Sequence, residues 1–246
     1  MRLYLIALQF LTIIPLPFDT RCQKDDLGRS AACFPLAGLT IGALLAGFYW
    51  LFVPWVSGSL TAALLIAVLA AITGALHLDG LADVADGLAA RGDRERFLVV
   101  MKDSHVGAVG AVAVALGLLL KWQALLAVPA DMTWQALLLF PTLGRFASTL
   151  AMAGARHACS DGLGASFIQG MATRHLLISA AITITACLLL LPVKGAIALA
   201  TVSLLALAVK TYFQNRLGGL TGDIIGCICE LSEIAALIIL AAGCQL

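Results

Sequence analysis

The chain has 246 residues, of which 61% are hydrophobic and only 12% charged, with a formal net charge of +1. A soluble domain is roughly half apolar and a quarter charged, and here the mean hydropathy is +1.02, which excludes a soluble globular protein. With no basic run and no basic patch interleaved with aromatics, the sequence also argues against a nucleic-acid partner.

Seven cysteines, Cys22, Cys33, Cys159, Cys187, Cys227, Cys229 and Cys244, are scattered along the chain. Their number is odd and none forms a C-x-x-C pair, which argues against a disulfide framework or a zinc knuckle. Most lie in or beside apolar runs, where free Cys acts as a small hydrophobe.

A spanning helix takes about 20 mostly apolar residues. The first 16 residues are apolar after Arg2 and end at Pro15 and Pro17. They lack a small-residue cleavage site and read as a retained first segment, either spanning or lying at the interface. Longer apolar runs predict helices over 33–53, 57–76, 106–128, 133–153, 176–193, 195–211 and 224–243. The expected fold is therefore all-α, a polytopic transmembrane bundle of seven or eight segments in one domain, 1–246.

Short connectors surround Pro54, Pro129 and Pro192, and long ones cover 17–32, 77–105, 154–175 and 212–223. The two kinds alternate, so the long connectors share one face. They carry most basic residues, among them Arg21, Lys24, Arg29, Arg91, Arg94, Arg96, Lys102, Arg156, Arg174, Lys210 and Arg216, whereas the short ones offer Lys194. By the positive-inside rule the polar face is cytoplasmic, and the expected location is the inner membrane, multi-pass. Asp19, Asp25 and Asp26 in the first long connector read as solvated.

The second long connector opens on His77-Leu78-Asp79-Gly80-Leu81-Ala82-Asp83-Val84-Ala85-Asp86-Gly87. Its three carboxylates stand at i, i+4 and i+7, within about 60° of arc on a helix. Such a row repels itself at the end of a greasy segment unless something positive joins it. Mg²⁺ fits, because it takes oxygen ligands from a few carboxylates plus substrate phosphate. Membrane-edge carboxylates are rare and costly, which favours function over a solvated face. His77 adjoins the row, but Mg²⁺ prefers oxygen.

Two family resemblances follow. Asp83-x-x-Asp86-Gly87-x-x-Ala90-Arg91 resembles the first half of the CDP-alcohol phosphotransferase signature. The second half departs from it: Val100 stands where that signature has Gly, and only Asp103 follows. A fuller resemblance, over essentially the whole chain, is to the cobalamin synthase family, the adenosylcobinamide-GDP ribazoletransferases. It rests on Gln9-Phe10-Leu11-Thr12-x-x-Pro15-x-Pro17, Phe34-Pro35-Leu36-Ala37-Gly38, the central acidic line, Met101-Lys102-Asp103-Ser104-x-x-Gly107, and Gly218-Gly219-x-Thr221-Gly222-Asp223 with Glu230.

The resemblance implies a reaction. Adenosylcobinamide-GDP and α-ribazole, or α-ribazole 5′-phosphate, give adenosylcobalamin, or its 5′-phosphate, and GMP. Carboxylates that bring metal to a diphosphate suit that chemistry. Asp79, Asp83 and Asp86 are the expected Mg²⁺ ligands, with Asp103 completing the set. Asp223 and Glu230, seven apart on one helix face, would supply a second carboxylate set or the base for the attacking hydroxyl. Lys102 and Arg91 would offset phosphate charge, with Arg145 and Arg216 as weaker candidates. Gly80, Gly87, Ser104, Gly107, Thr221 and Gly222 are the remaining expected substrate contacts, and Gly218 and Gly219 would also let backbone approach closely.

Blander readings stand beside these. Glycines at helix spacing serve packing, Arg91, Arg94 and Arg96 serve as topology anchors, and Glu233 follows Glu230 by one turn. Two other functions remain open: a CDP-alcohol phosphotransferase of phospholipid synthesis, and a secondary transporter whose carboxylates carry protons or metal. The crowding of charge on one face and the lack of a repeat count against the transporter. Expected partners are the two small-molecule substrates and the bilayer, with a homo-oligomer or a complex with other corrinoid-pathway enzymes also open.

Overall fold

The computed structural model describes residues 1–15, 24–103, 105–158 and 163–243. Each of the seven longer apolar runs is a helix, and among the described residues there is no strand, only one isolated bridge between His157 and Leu220. In chain order the α-helices are α1 (Arg2–Leu11), α2 (Lys24–Ser30), α3 (Phe34–Phe52), α4 (Gly58–Thr73), α5 (Leu76–Ala89), α6 (Arg94–Val100), α7 (Ala108–Leu126), α8 (Thr133–Met152), α9 (Leu163–Gly170), α10 (Thr173–Leu190), α11 (Pro192–Leu217) and α12 (Gly222–Ala241).

Five stretches are long and apolar enough to cross a membrane: Asp25–Phe52, Ala108–Leu126, Thr173–Leu190, Pro192–Leu217 and Gly222–Ala241. The α4–α5 pair makes a sixth if counted as one broken span. α1 bears on the two expectations left open for 1–16, spanning or lying at the interface. Its ten residues rise about 15 Å, half the hydrocarbon thickness. It instead leans on α2 and α3, and Arg2 pairs with Asp26 at 2.5 Å. Asp26 is buried, not solvated as expected, while Asp19 lies outside the described residues.

The centre of the bundle is α8. It is buried on every side from Leu139 to Thr149, with Pro141 and Arg145 inside it. α3 packs tightly along α8 through Gly38 and Gly42. A Cβ at Gly38 would stand 2.7 Å from the Pro141 carbonyl oxygen, and one at Gly42 2.5 Å from that of Leu137. Small residues four apart let two helix backbones touch where lipid offers no hydrophobic drive to associate.

Helix ends follow local chemistry. Ser57 accepts the Leu60 N–H to start α4, Thr221 accepts the Ile224 N–H to start α12, and Pro192 opens α11. α4 ends on Gly74, which is left-handed at φ +59°, and Ala75 is left-handed too, at φ +56°. The pair turns the chain by 91°, so α5 leaves the direction of α4 and lies along one end of the bundle. The long connectors meet at that end. Arg94 donates to the Leu217 carbonyl at 2.7 Å and to that of Ala158 at 2.9 Å, beside the His157–Leu220 bridge.

Candidate functional site

α5 keeps Asp79, Asp83 and Asp86 on one stripe, as their spacing requires, but gives them different surroundings. Asp86 closes the N-terminus of α7. Its Oδ2 accepts the Gly107 N–H at 2.7 Å and its Oδ1 the Gly110 N–H at 2.8 Å. Unpaired N–H groups and the positive end of the dipole make a helix start a natural seat for a carboxylate. The fit is close: a Cβ on Gly107 or Gly110 would lie 2.5 or 2.3 Å from an Asp86 oxygen.

Asp83 is half-buried next to Asp79, Asp223 and Asp86. Desolvation, then the repulsion of those three carboxylates, lifts its carboxyl to about 6. Asp79 is exposed at the rim of a cavity of about 330 Å³.

α5 and α12 build one wall of that cavity. They cross where a Cβ on Gly80 would meet the Asp223 carbonyl oxygen at 2.6 Å, so only glycine allows the approach. The crossing brings Asp79 and Asp223 to the same cavity. Thr221 and Gly222, at the start of α12, and Lys102, just past α6, line it as well. Five expected site residues from three separate stretches thus share a cavity. The rest of its lining is largely apolar, with Phe10, Phe34, Phe167, Met101 and Met152.

Other expected residues stand apart. Gly87 packs under Phe97. Asp103 is exposed and bonded by the His105 ring at 2.7 Å and its N–H at 3.0 Å, which hold the carboxyl below the usual range. Arg91 is exposed and ends α5 in a left-handed conformation at φ +42°. Ser104 lies outside the described residues.

Glu230 and Asp223 do not share a site. Two turns separate them by about 10 Å along α12. Glu230 is buried, where its Oε2 accepts from Lys121 Nζ at 2.6 Å. Lys121 also donates to Glu233, and Glu233 accepts from Arg145, closing a cluster of two acids and two cations inside the bundle. The sequence reading passed over Lys121. The signal was a single Lys in the apolar run 106–128, since ionisable residues inside a membrane span are rare and need partners.

Asp79, Asp83 and Asp223 have no ion-pair partner among the described residues, in contrast to that cluster. Nor does any group of three or more His, Cys, Asp or Glu converge as a preformed metal cage among them. Hard oxygen donors without a cage suit Mg²⁺, which is usually held by one or two carboxylates together with substrate phosphate.

The chain matches the Cobalamin-5-phosphate synthase family over residues 3–241. It is 52% identical to the adenosylcobinamide-GDP ribazoletransferase of Geotalea daltonii, over 98% of both chains. The protein of the same name from Stutzerimonas stutzeri is 40% identical over 96% of each chain. That of Acetivibrio thermocellus is 35% identical over 96% of this chain and 95% of its own. No solved structure matches. These relatives favour neither the CDP-alcohol phosphotransferase nor the transporter reading. With an acidic row, a Thr-Gly-Asp helix start and a shared cavity in a helical membrane fold, the chain belongs to the cobalamin-5-phosphate synthase family.

Proposed function

We propose that this chain joins adenosylcobinamide-GDP to α-ribazole, or α-ribazole 5′-phosphate, and releases GMP, as the names of its relatives indicate for them. One observation carries the reading: the cavity that gathers Asp79, Lys102, Thr221, Gly222 and Asp223 from stretches far apart in sequence. A ribose hydroxyl oxygen bonds to the cobinamide-linked phosphorus as the bond to the GMP oxygen breaks.

Asp79 and Asp83 are the residues that would hold Mg²⁺. Bound there, the ion would draw charge from the diphosphate oxygens and from the leaving phosphate. Lys102 adds a fixed positive charge at the cavity for the departing GMP phosphate. The hydroxyl proton passes to a carboxylate at the cavity, where Asp223 is the nearer candidate because Glu230 is engaged by Lys121. Backbone at Gly222 offers N–H at the start of α12, where anions are favoured. Asp86 acts indirectly, by fixing α7 against α5.

The reacting face would be cytoplasmic in an inner membrane, which the basic residues Arg91, Arg94, Arg96, Lys102, Arg156 and Arg216 of the long connectors support. The test uses the protein in nanodiscs with both substrates and Mg²⁺, and follows GMP. Release that needs both substrates, stops with EDTA and returns with Mg²⁺ is expected. A rate equal to that of empty nanodiscs overturns the reading.

A further inference from the structure

We propose that His77 is a further catalytic residue: its ring, with the proton fixed on Nε2 by the buried cations behind it, donates a hydrogen bond from the cavity wall to a diphosphate oxygen. The inference rests on the function proposed above and adds a residue to its machinery.

His77 is in the first turn of α5 and lines the cavity, although only 6% of it is exposed. It is not part of the acidic row. At about 100° per residue it lies on the side of α5 roughly opposite Asp79, Asp83 and Asp86, on the face that Gly80 presents to Asp223. α12 fixes the ring there, since a Cβ on Gly226 would stand 3.5 Å from the His77 Cα and 3.6 Å from its Cδ2. Yet the ring makes no hydrogen bond with the described residues, and its Nδ1 is closed off from solvent without a partner. A buried polar atom in that state costs about 1–3 kcal/mol and calls for an explanation.

A second orphan belongs to Arg145, which is 1% exposed. One of its terminal nitrogens serves Glu233 and the Pro141 carbonyl, but its Nε has no partner. Arg145 and then Lys121 are the charges that act on the His77 ring. Arginine only donates, and a neutral imidazole accepts only at the nitrogen without the proton. Beside two cations a lone pair is favoured and an N–H is not. The sealed Nδ1 therefore keeps the lone pair, and Nε2 carries the proton. With Nδ1 sealed and Cδ2 against Gly226, Nε2 is the polar edge left for the cavity, which Asp79, Lys102 and Asp223 also line. Of the groups that the proposed reaction brings there, the diphosphate offers acceptors alone, and a donor to an anionic oxygen makes a charge-assisted bond. His77 thus holds the phosphate, and its proton stays on Nε2 throughout.

The tests use the whole protein in nanodiscs. Nitrogen-15 NMR of the four histidines, with the His77 signals assigned by their loss in His77→Gln, reads the tautomer directly. The proton is expected on Nε2, and GDP with Mg²⁺ should move the Nε2 signal beyond the change that Mg²⁺ alone produces. In turnover, His77→Asn and His77→Leu should lower kcat about a hundredfold, the scale of one lost donor to developing charge, and leave both KM values within about threefold. His77→Gln, whose amide nitrogen reaches the position of Nε2, should recover most of that loss. A role in packing or in holding a buried water would instead leave the Asn and Gln variants alike. A proton on Nδ1, no response to GDP, or equal rates in Gln and Asn variants of native circular dichroism each overturns the proposal. The NMR arm reads the wild-type protein and so stands if a variant fails to fold. A response to GDP in a protein that releases no GMP would refute the enzymatic reading and leave the donor in place.

Discussion

The three aspartates of α5 separate at the level of single side chains. Asp86 receives two backbone N–H groups, whereas Asp83 receives mainly repulsion. Asp86→Asn should therefore lower stability by about 1–2 kcal/mol, the value of a charged helix cap, seen as a drop in Tm in detergent. Asp83→Asn should abolish GMP release while the protein remains in the membrane. Its effect on stability should depend on pH. The Asp83 carboxyl is lifted from 3.8 to about 6, so its contribution to stability is complete below about pH 4 and is lost as pH rises through 6. Metal-free Asp83→Asn protein should thus match the wild type at pH 4 and exceed it slightly at pH 8, the difference damped by solvent at this half-buried site. Denaturation at the two pH values checks the sign, and an advantage that is larger at pH 4 contradicts the assignment.

Helices were readable from composition because about 20 apolar residues in a row have one economical conformation in lipid. What the apolar runs hid is how α5 is aimed. The 91° turn depends on Ala75 in a left-handed conformation, which alanine adopts only under tertiary constraint and which residue type does not announce. The acidic stripe was legible from spacing, and the Thr221-Gly222-Asp223 segment from the family resemblance. That the two meet was not, because the contact lies between residues 80 and 223 and is set by glycine alone. Gly80→Val should force α5 off α12, cost about 1–3 kcal/mol as overpacking, and reduce turnover more than tenfold. Tm and initial rate measured together check it, and a variant with wild-type rate means that the crossing does not position the site. Asp103 and Arg91 show the reverse relation between motif and local structure. Motif membership made them candidates, yet local structure holds Asp103 on His105 and sets Arg91 at a helix end.

Across the molecule, polar chemistry divides into two zones. One is the connector end, where Arg94 ties 154–175 to 212–223. The other is the cluster of Lys121, Arg145, Glu230 and Glu233 within the bundle, joining α7, α8 and α12. Removing one member of a buried ion cluster leaves a charge without compensation, so Lys121→Met should cost about 3–5 kcal/mol, and adding Glu230→Gln should recover part of it. Unfolding in SDS, compared across the single and double variants, measures the coupling. The alternating connectors also predict sidedness. In a cysteine-free background, Cys placed at His105 and at Asp131 should react with an impermeant thiol reagent from opposite sides of sealed vesicles, and labelling of both from one side contradicts the topology.

The buried cluster has a consequence for energetics in a living membrane. Two carboxylates and two cations balance, so this cluster presents no net charge to the transmembrane voltage, which acts at about 2.3 kcal/mol per charge per 100 mV only on charge that moves. GMP release should then proceed at the same rate in energised and de-energised vesicles, so that a voltage across the bilayer neither drives nor brakes the protein.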